Sequence, residues 1–197
     1  DVHNSRGITG AQVARQILDS NGLYNVGIEF ISGSLTDHYD PTANVVRLSE
    51  SVYNSTSVAA IGVAAHECGH ALQHATAYAP LRMRSALVPV VSFASNWVMW
   101  ILLIGMLVIN TFPHLMLFGI ILFAMTTLFS FITLPVEVNA SQRAVAWLRN
   151  TGITDNHTTE MASDALHSAA YTYVVAALSS LATLVYYILI FLGGNRR

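Results

Sequence analysis

Ser57–His74 reads SVAAIGVAAHECGHALQH, and its centre is His66-Glu67-Cys68-Gly69-His70. On an α-helix, residues four apart lie about 40° apart round the axis and one turn along. His66 and His70 therefore aim two imidazoles at one point. Neutral imidazole nitrogens are good zinc ligands, and a catalytic zinc takes three protein ligands and keeps a fourth position open. Glu67 falls about 100° further round, on the flank of that point, where it can act as a general base without becoming a ligand. With the His and Glu content of this chain, such a match arises by chance on the order of one time in a hundred. Val58–Ala65 is small and apolar, as a tightly packed central helix requires, and Thr56 or Ser57 can cap it. Cys68 falls on the far side of the helix from His66, so it reads as a small core residue.

Working outward, charge is scarce and unevenly placed. Apolar residues make up 53% of the 197 and charged residues 10%, against roughly 25% charged in soluble domains. A net charge of −2 offers no electrostatic basis for nucleic-acid binding. All nine basic residues are Arg, and the single cysteine cannot form an intrachain disulfide. Between Arg84 and Glu137 there is no Asp, Glu, Lys or Arg, only His114. That run reads as two membrane spans, Leu87–Ile109 and Leu115–Leu134, joined by a turn over Asn110–His114. A third span runs from about Tyr171 to Leu192. Asp1–Arg15 is polar and lacks the apolar core of a cleavable signal peptide. The expected organisation is a catalytic part over 1–84, a transmembrane hairpin over 85–134, a segment carrying the third ligand over 135–170, and a last span with its tail over 171–197. The fold class is an α+β membrane protein, mainly helical, with a small sheet beside the zinc helix.

Upstream of the helix, Asp1–Gly7 reads as a flexible lead-in, and Thr9 can cap a helix over Gly10–Ser20 that stops at Asn21-Gly22. Strand patterns follow at Tyr24–Ser32, Leu35–Asp40 and Val45–Ser49, which together predict a short meander. Metallopeptidases commonly hold substrate as an extra strand on a sheet edge. Val45, Val46, Arg47 and Leu48 are the candidate substrate-binding edge, with a sheet that only supports the helix as the equal alternative.

Downstream, Pro80 breaks the zinc helix and Arg82 and Arg84 mark a membrane surface. Pro135 suits the first turn of a helix running to about Arg149, with Gly152 as its stop. A hairpin of two spans returns Glu137 to the side that carries His66 and His70. Glu137 is also the first acidic residue after Glu67, which makes it the best candidate for third ligand. The competing reading is a helix-start carboxylate favoured by the helix dipole. A third His six residues after His70 is absent, since Thr76 stands there and Gln73 replaces the glycine that pattern needs. His74 has drifted a further 40° or so and reads as a supporting or surface residue. Asp155-Asn156 can open a last helix that merges into the third span. Tyr171 and Tyr173 sit where it enters the membrane, as interface anchors or, for one of them, as a donor to a developing oxyanion.

These residues carry a resemblance. Asn4–Gly10, Leu35–Pro41, Leu48–Tyr53, Gly62–Ala71 and Leu134–Ser141 together resemble the YugP-type integral-membrane zinc metallopeptidases across nearly the whole chain. The layout is similar to the wider membrane gluzincins. The resemblance implies zinc as cofactor, His66, His70 and Glu137 as ligands, and Glu67 as base. Thr172-Tyr173 matches a family-like segment, which favours Tyr173 over Tyr171. Ser141 stands where wider gluzincins carry Asp. Family members begin with a further hydrophobic segment, so Asp1 is expected to be a trimmed start.

The function expected is a zinc-dependent endopeptidase in a bacterial cytoplasmic membrane, acting on peptide or membrane-protein substrates. Its rivals are a catalytically silent membrane scaffold or chaperone-like protein retaining the zinc, and a metal transporter. A silent protein has no need of Glu67, and a transporter's ligands should lie within its spans. Arg82, Arg84, Arg143 and Arg149 place the catalytic face in the cytoplasm by the positive-inside bias, with Arg196 and Arg197 weighing the other way.

Overall fold

In the computed structural model, which describes residues 2–4 and 6–194, Thr9 caps the first helix, α1 (Gly10–Ser20). The Thr9 hydroxyl accepts from the Gln12 amide, and the Gln12 side chain accepts from the Thr9 amide, a reciprocal capping box. Among the described residues before it, Asn4 is not part of a loose lead-in. Asn4 is buried, its Nδ2 donates to the carbonyls of Ile8 at 2.8 Å and Thr56 at 2.6 Å, and its Oδ1 accepts from the Ile8 amide at 3.0 Å. One buried amide thus ties Asn4 to Thr56, the residue before the cap of the helix that carries His66 and His70. Asp1 lies outside the described residues, as do Arg196 and Arg197.

The sheet has three strands, β1 (Gly27–Ile31), β2 (His38–Asp40) and β3 (Val45–Ser49), in the order β1-β3-β2. β1 runs parallel to β3, and β2 pairs with it antiparallel through the turn that Asp40 caps. The arrangement is therefore not a meander, and Val45–Leu48 is not an edge. β3 is the central strand, its backbone paired on both sides. Val46 and Leu48 are fully buried, and Arg47 reaches Glu29 of β1 at 3.1 Å and Asp40 of β2 at 2.7 Å. A strand with an apolar core face and ion pairs to both neighbours has no free ladder to offer a substrate.

After the short α2 (Glu50–Tyr53), Ser57 caps α3 (Val58–Ala75), its hydroxyl accepting from the Ala60 amide at 3.1 Å. Ala60, Ile61, Ala64, Cys68 and Ala71 form the buried face of α3, packed with Val13, Leu18, Val46 and Leu48. Small side chains let helix and sheet approach closely. α3 stops through Thr76 and Ala77, the latter at φ 51°, and Pro80 falls in the first turn of the next helix instead of making the break.

The remaining helices are α4 (Ala79–Leu107), α5 (Pro113–Thr151) and α6 (Asn156–Gly194). α5 stops at Gly152, whose φ of 62° suits glycine. It does not restart at Pro135. The proline removes one amide hydrogen bond, to Phe131, but its φ fits a helix and both flanks are helix-forming, so α5 runs straight through it; Pro89 sits inside α4 likewise. Asp155 opens α6 by accepting from the Thr158 amide at 2.7 Å.

The chain divides into two compact units, Asp1–Tyr78 with Val136–Ala170 and Ala79–Pro135 with Tyr171–Arg197. The second holds three helix segments long and apolar enough to cross a bilayer, with only 17%, 28% and 6% of their most apolar stretches buried. Phe93, Trp97, Trp100 and Leu107 are exposed there, a surface suited to lipid. Within this unit Gly105 packs on the Met116 backbone and Thr127 pairs with Ser180 at 2.7 Å.

Candidate metal centre

In the first unit, three ligand atoms converge. His66 Nε2 lies 3.2 Å from Glu137 Oε2 and 3.2 Å from His70 Nε2, and His70 Nε2 lies 3.5 Å from the same Glu137 oxygen. The two imidazoles stand at 90° to each other. A tetrahedral zinc with bonds of about 2.0–2.1 Å separates its ligand atoms by roughly 3.3 Å, which is the spacing seen here. The residues present fit zinc: two imidazole nitrogens and one carboxylate oxygen, turned inward, with a fourth position left for a non-protein ligand.

Helical spacing on α3 brings His66 and His70 onto one face. The position of Glu137 depends on how α5 packs against that face. Gly69 makes the approach possible: a Cβ there would stand 2.7 Å from the Ala140 carbonyl oxygen. Glu137 is in the interior of α5, not in a first turn, so the helix-dipole explanation for its position does not apply.

Each imidazole is held from behind. His66 Nδ1 is 3.0 Å from Ser141 Oγ, and His70 Nδ1 is 3.0 Å from Gln73 Oε1. Ser141 thus contacts one of the two histidines that could hold a metal. Sequence reasoning missed Gln73, noting only that it was not a glycine. The available signal was its place three residues after His70, one turn further along the same face.

Glu67 is buried, and burial pushes its carboxyl above the ordinary range, against the opposing charges of His70 and His66. For His70, burial works against the charged ring, but the hydrogen bond to Glu137 and the nearby carboxylates outweigh it and hold the imidazole above its usual value. Burial also raises the Cys68 thiol, whose Sγ faces the Ala14 carbonyl at 3.6 Å on the α1 side. Cys68 is not among the converging donors.

A family model described as "Putative neutral zinc metallopeptidase" matches residues 1–192. The chain belongs to this family. A relative from Bacillus subtilis (strain 168), named "Putative membrane protease YugP", is 50% identical over 194 residues, covering 98% of this chain and 85% of the relative. No solved structure matches the chain. The relative is named a membrane protease, and this chain has three helices long and apolar enough to cross a membrane.

The other candidate residues fall elsewhere. Val45–Leu48 form the centre of the sheet, as described above. His74 meets the Tyr39 hydroxyl at 2.9 Å and is not one of the converging donors. Tyr173 stands on α6 in the second unit, about a third exposed, and is likewise not among them.

Proposed function

We propose that the protein is a zinc-dependent endopeptidase of the membrane, with His66, His70 and Glu137 as ligands and Glu67 as general base. The observation that carries this is the convergence of those three ligand atoms at tetrahedral spacing, with a buried carboxylate on the residue next to a ligand. Zinc held there supplies a Lewis acid that polarises the scissile carbonyl and lowers the pKa of a water towards 7. Glu67 takes the proton from the attacking water and delivers it to the leaving amine. Burial suits that role, because a carboxyl held above its ordinary range is a better proton acceptor. The ligand histidines hold the reaction in place through their Nδ1 contacts to Ser141 and Gln73. The arginines flanking the first two spans support a cytoplasmic catalytic face.

The test is cleavage of a generic peptide by zinc-loaded wild type and by Glu67→Gln. The variant is expected to keep its zinc and lose nearly all hydrolysis, since a neutral amide cannot accept the proton. Undiminished cleavage would remove Glu67 from the mechanism. Zinc binding without cleavage by the wild type would favour the silent scaffold.

A further inference from the structure

We propose that Gln73 is a positioning residue of the metal centre, locking the His70 ring in the tautomer that offers Nε2 to the metal and tying it to the helix that carries Glu137. The inference rests on the zinc reading above. It follows from a chain of donors and acceptors whose polarity is set at one end. Arg143 Nε can only donate, and it lies 2.8 Å from an Asn139 side-chain atom, which must therefore be the carbonyl oxygen Oδ1. The Gln73 side-chain atom 3.0 Å from that oxygen must then be a donor, the amide Nε2. The same Nε2 donates to the Val136 carbonyl at 2.8 Å, which confirms its identity independently.

With Nε2 so placed, Oε1 is the Gln73 atom facing His70 Nδ1 at 3.0 Å. A carbonyl oxygen only accepts, so Nδ1 carries the proton, and the Nε2 lone pair is the one left for a metal at the point where His66 Nε2 and Glu137 Oε2 converge. Ser141 cannot fix the His66 tautomer in this way, because a hydroxyl both donates and accepts.

Gln73 is fully buried. Its three hydrogen bonds link a ligand on α3 to the backbone residue next to a ligand on α5. Each is made inside the fold, where a lost partner is costly. The residue thus sets the orientation of His70 and the register of Glu137 together.

The experiment measures zinc affinity by chelator competition and reads the His70 tautomer by ¹⁵N-histidine NMR, on purified wild type, Gln73→Met and Gln73→Glu. Wild type is expected to show His70 protonated at Nδ1. Gln73→Met keeps the volume but not the hydrogen bonds, and should bind zinc about 10–100-fold more weakly and lose the single tautomer. Gln73→Glu can still accept from Nδ1 but cannot donate to Val136, so it should keep the tautomer and fall between the two in affinity. A merely structural role would leave the tautomer unmoved. Gln73→Met with wild-type affinity, or wild-type His70 unprotonated at Nδ1, would overturn the inference. If Gln73→Met does not fold, loss of the tautomer in folded Gln73→Glu would overturn it. A wild type that takes up no zinc would instead overturn the functional reading.

Discussion

Replacing Gly69 by Ala should open the metal centre without touching a ligand. The new Cβ would stand 2.7 Å from the Ala140 carbonyl oxygen and 3.1 Å from its Cα, whereas ordinary contact begins near 3.4 Å. The obstacle is backbone, so no side-chain rotation relieves it. α5 must retreat by about 0.7 Å, the difference between 2.7 and 3.4 Å. Ala140 lies one helical turn after Glu137, so the carboxylate retreats with it from partners now 3.2 and 3.5 Å away. Functional groups tolerate about 0.5 Å of such error. Zinc affinity should therefore fall about tenfold or more, or about 1.4 kcal/mol. Overpacking costs roughly 1–3 kcal/mol, and the better helix propensity of Ala returns about 1, so the fold should survive with a modest loss of stability.

Gly62→Ala on the same helix is the control. Its Cβ would meet only Ala162 Cβ, at an ordinary 3.6 Å. It should keep wild-type zinc affinity and unfold at an equal or higher temperature. The assay is chelator competition with thermal unfolding of all three proteins. Gly69→Ala binding zinc as tightly as wild type would refute the argument that this glycine sets the distance between the helices.

Other outcomes follow from the same geometry. Asp40 is held below its ordinary pKa by the Ala43 amide and by Arg47. Its contribution to stability is therefore present above the unfolded value near 3.8 and is lost as pH falls through the depressed folded value. Asp40→Asn should be less stable than wild type at pH 7, with the gap closing in acid unfolding below about pH 4; a gap independent of pH would contradict the assignment. For orientation, single cysteines at Ser85 and Thr111 in a background lacking Cys68 should label from opposite faces, Ser85→Cys from the cytoplasm. Labelling of Thr111→Cys only from the cytoplasm would put the catalytic face outside.

Much of this was legible because the signals were local. The His66–His70 spacing, a cap at Thr56 or Ser57, the Thr9 cap, the Gly152 stop and the charge-free run from Ser85 to Val136 each follow from near neighbours. What escaped depended on distant partners. β3 is central because Arg47 and the buried Val46 and Leu48 find neighbours on both sides, which no property of a five-residue stretch reveals. Asn4 seemed part of a polar lead-in until Thr56, 52 residues on, supplied its acceptor. The spacing of Gln73 from His70 could be read, but its other partners, Val136 and Asn139, lie more than 60 positions away and could not. Pro135 misled in the opposite sense: a local rule for helix starts lost to a continuous helix-forming flank.

Zinc K-edge X-ray absorption of the purified, zinc-loaded protein tests the central claim most directly. The account predicts one zinc per chain in a shell of nitrogen and oxygen alone at about 2.0–2.2 Å, with the multiple scattering of two imidazoles. A zinc–sulfur component near 2.3 Å would contradict it, because the sole cysteine, Cys68, is fully buried with its sulfur facing the Ala14 carbonyl.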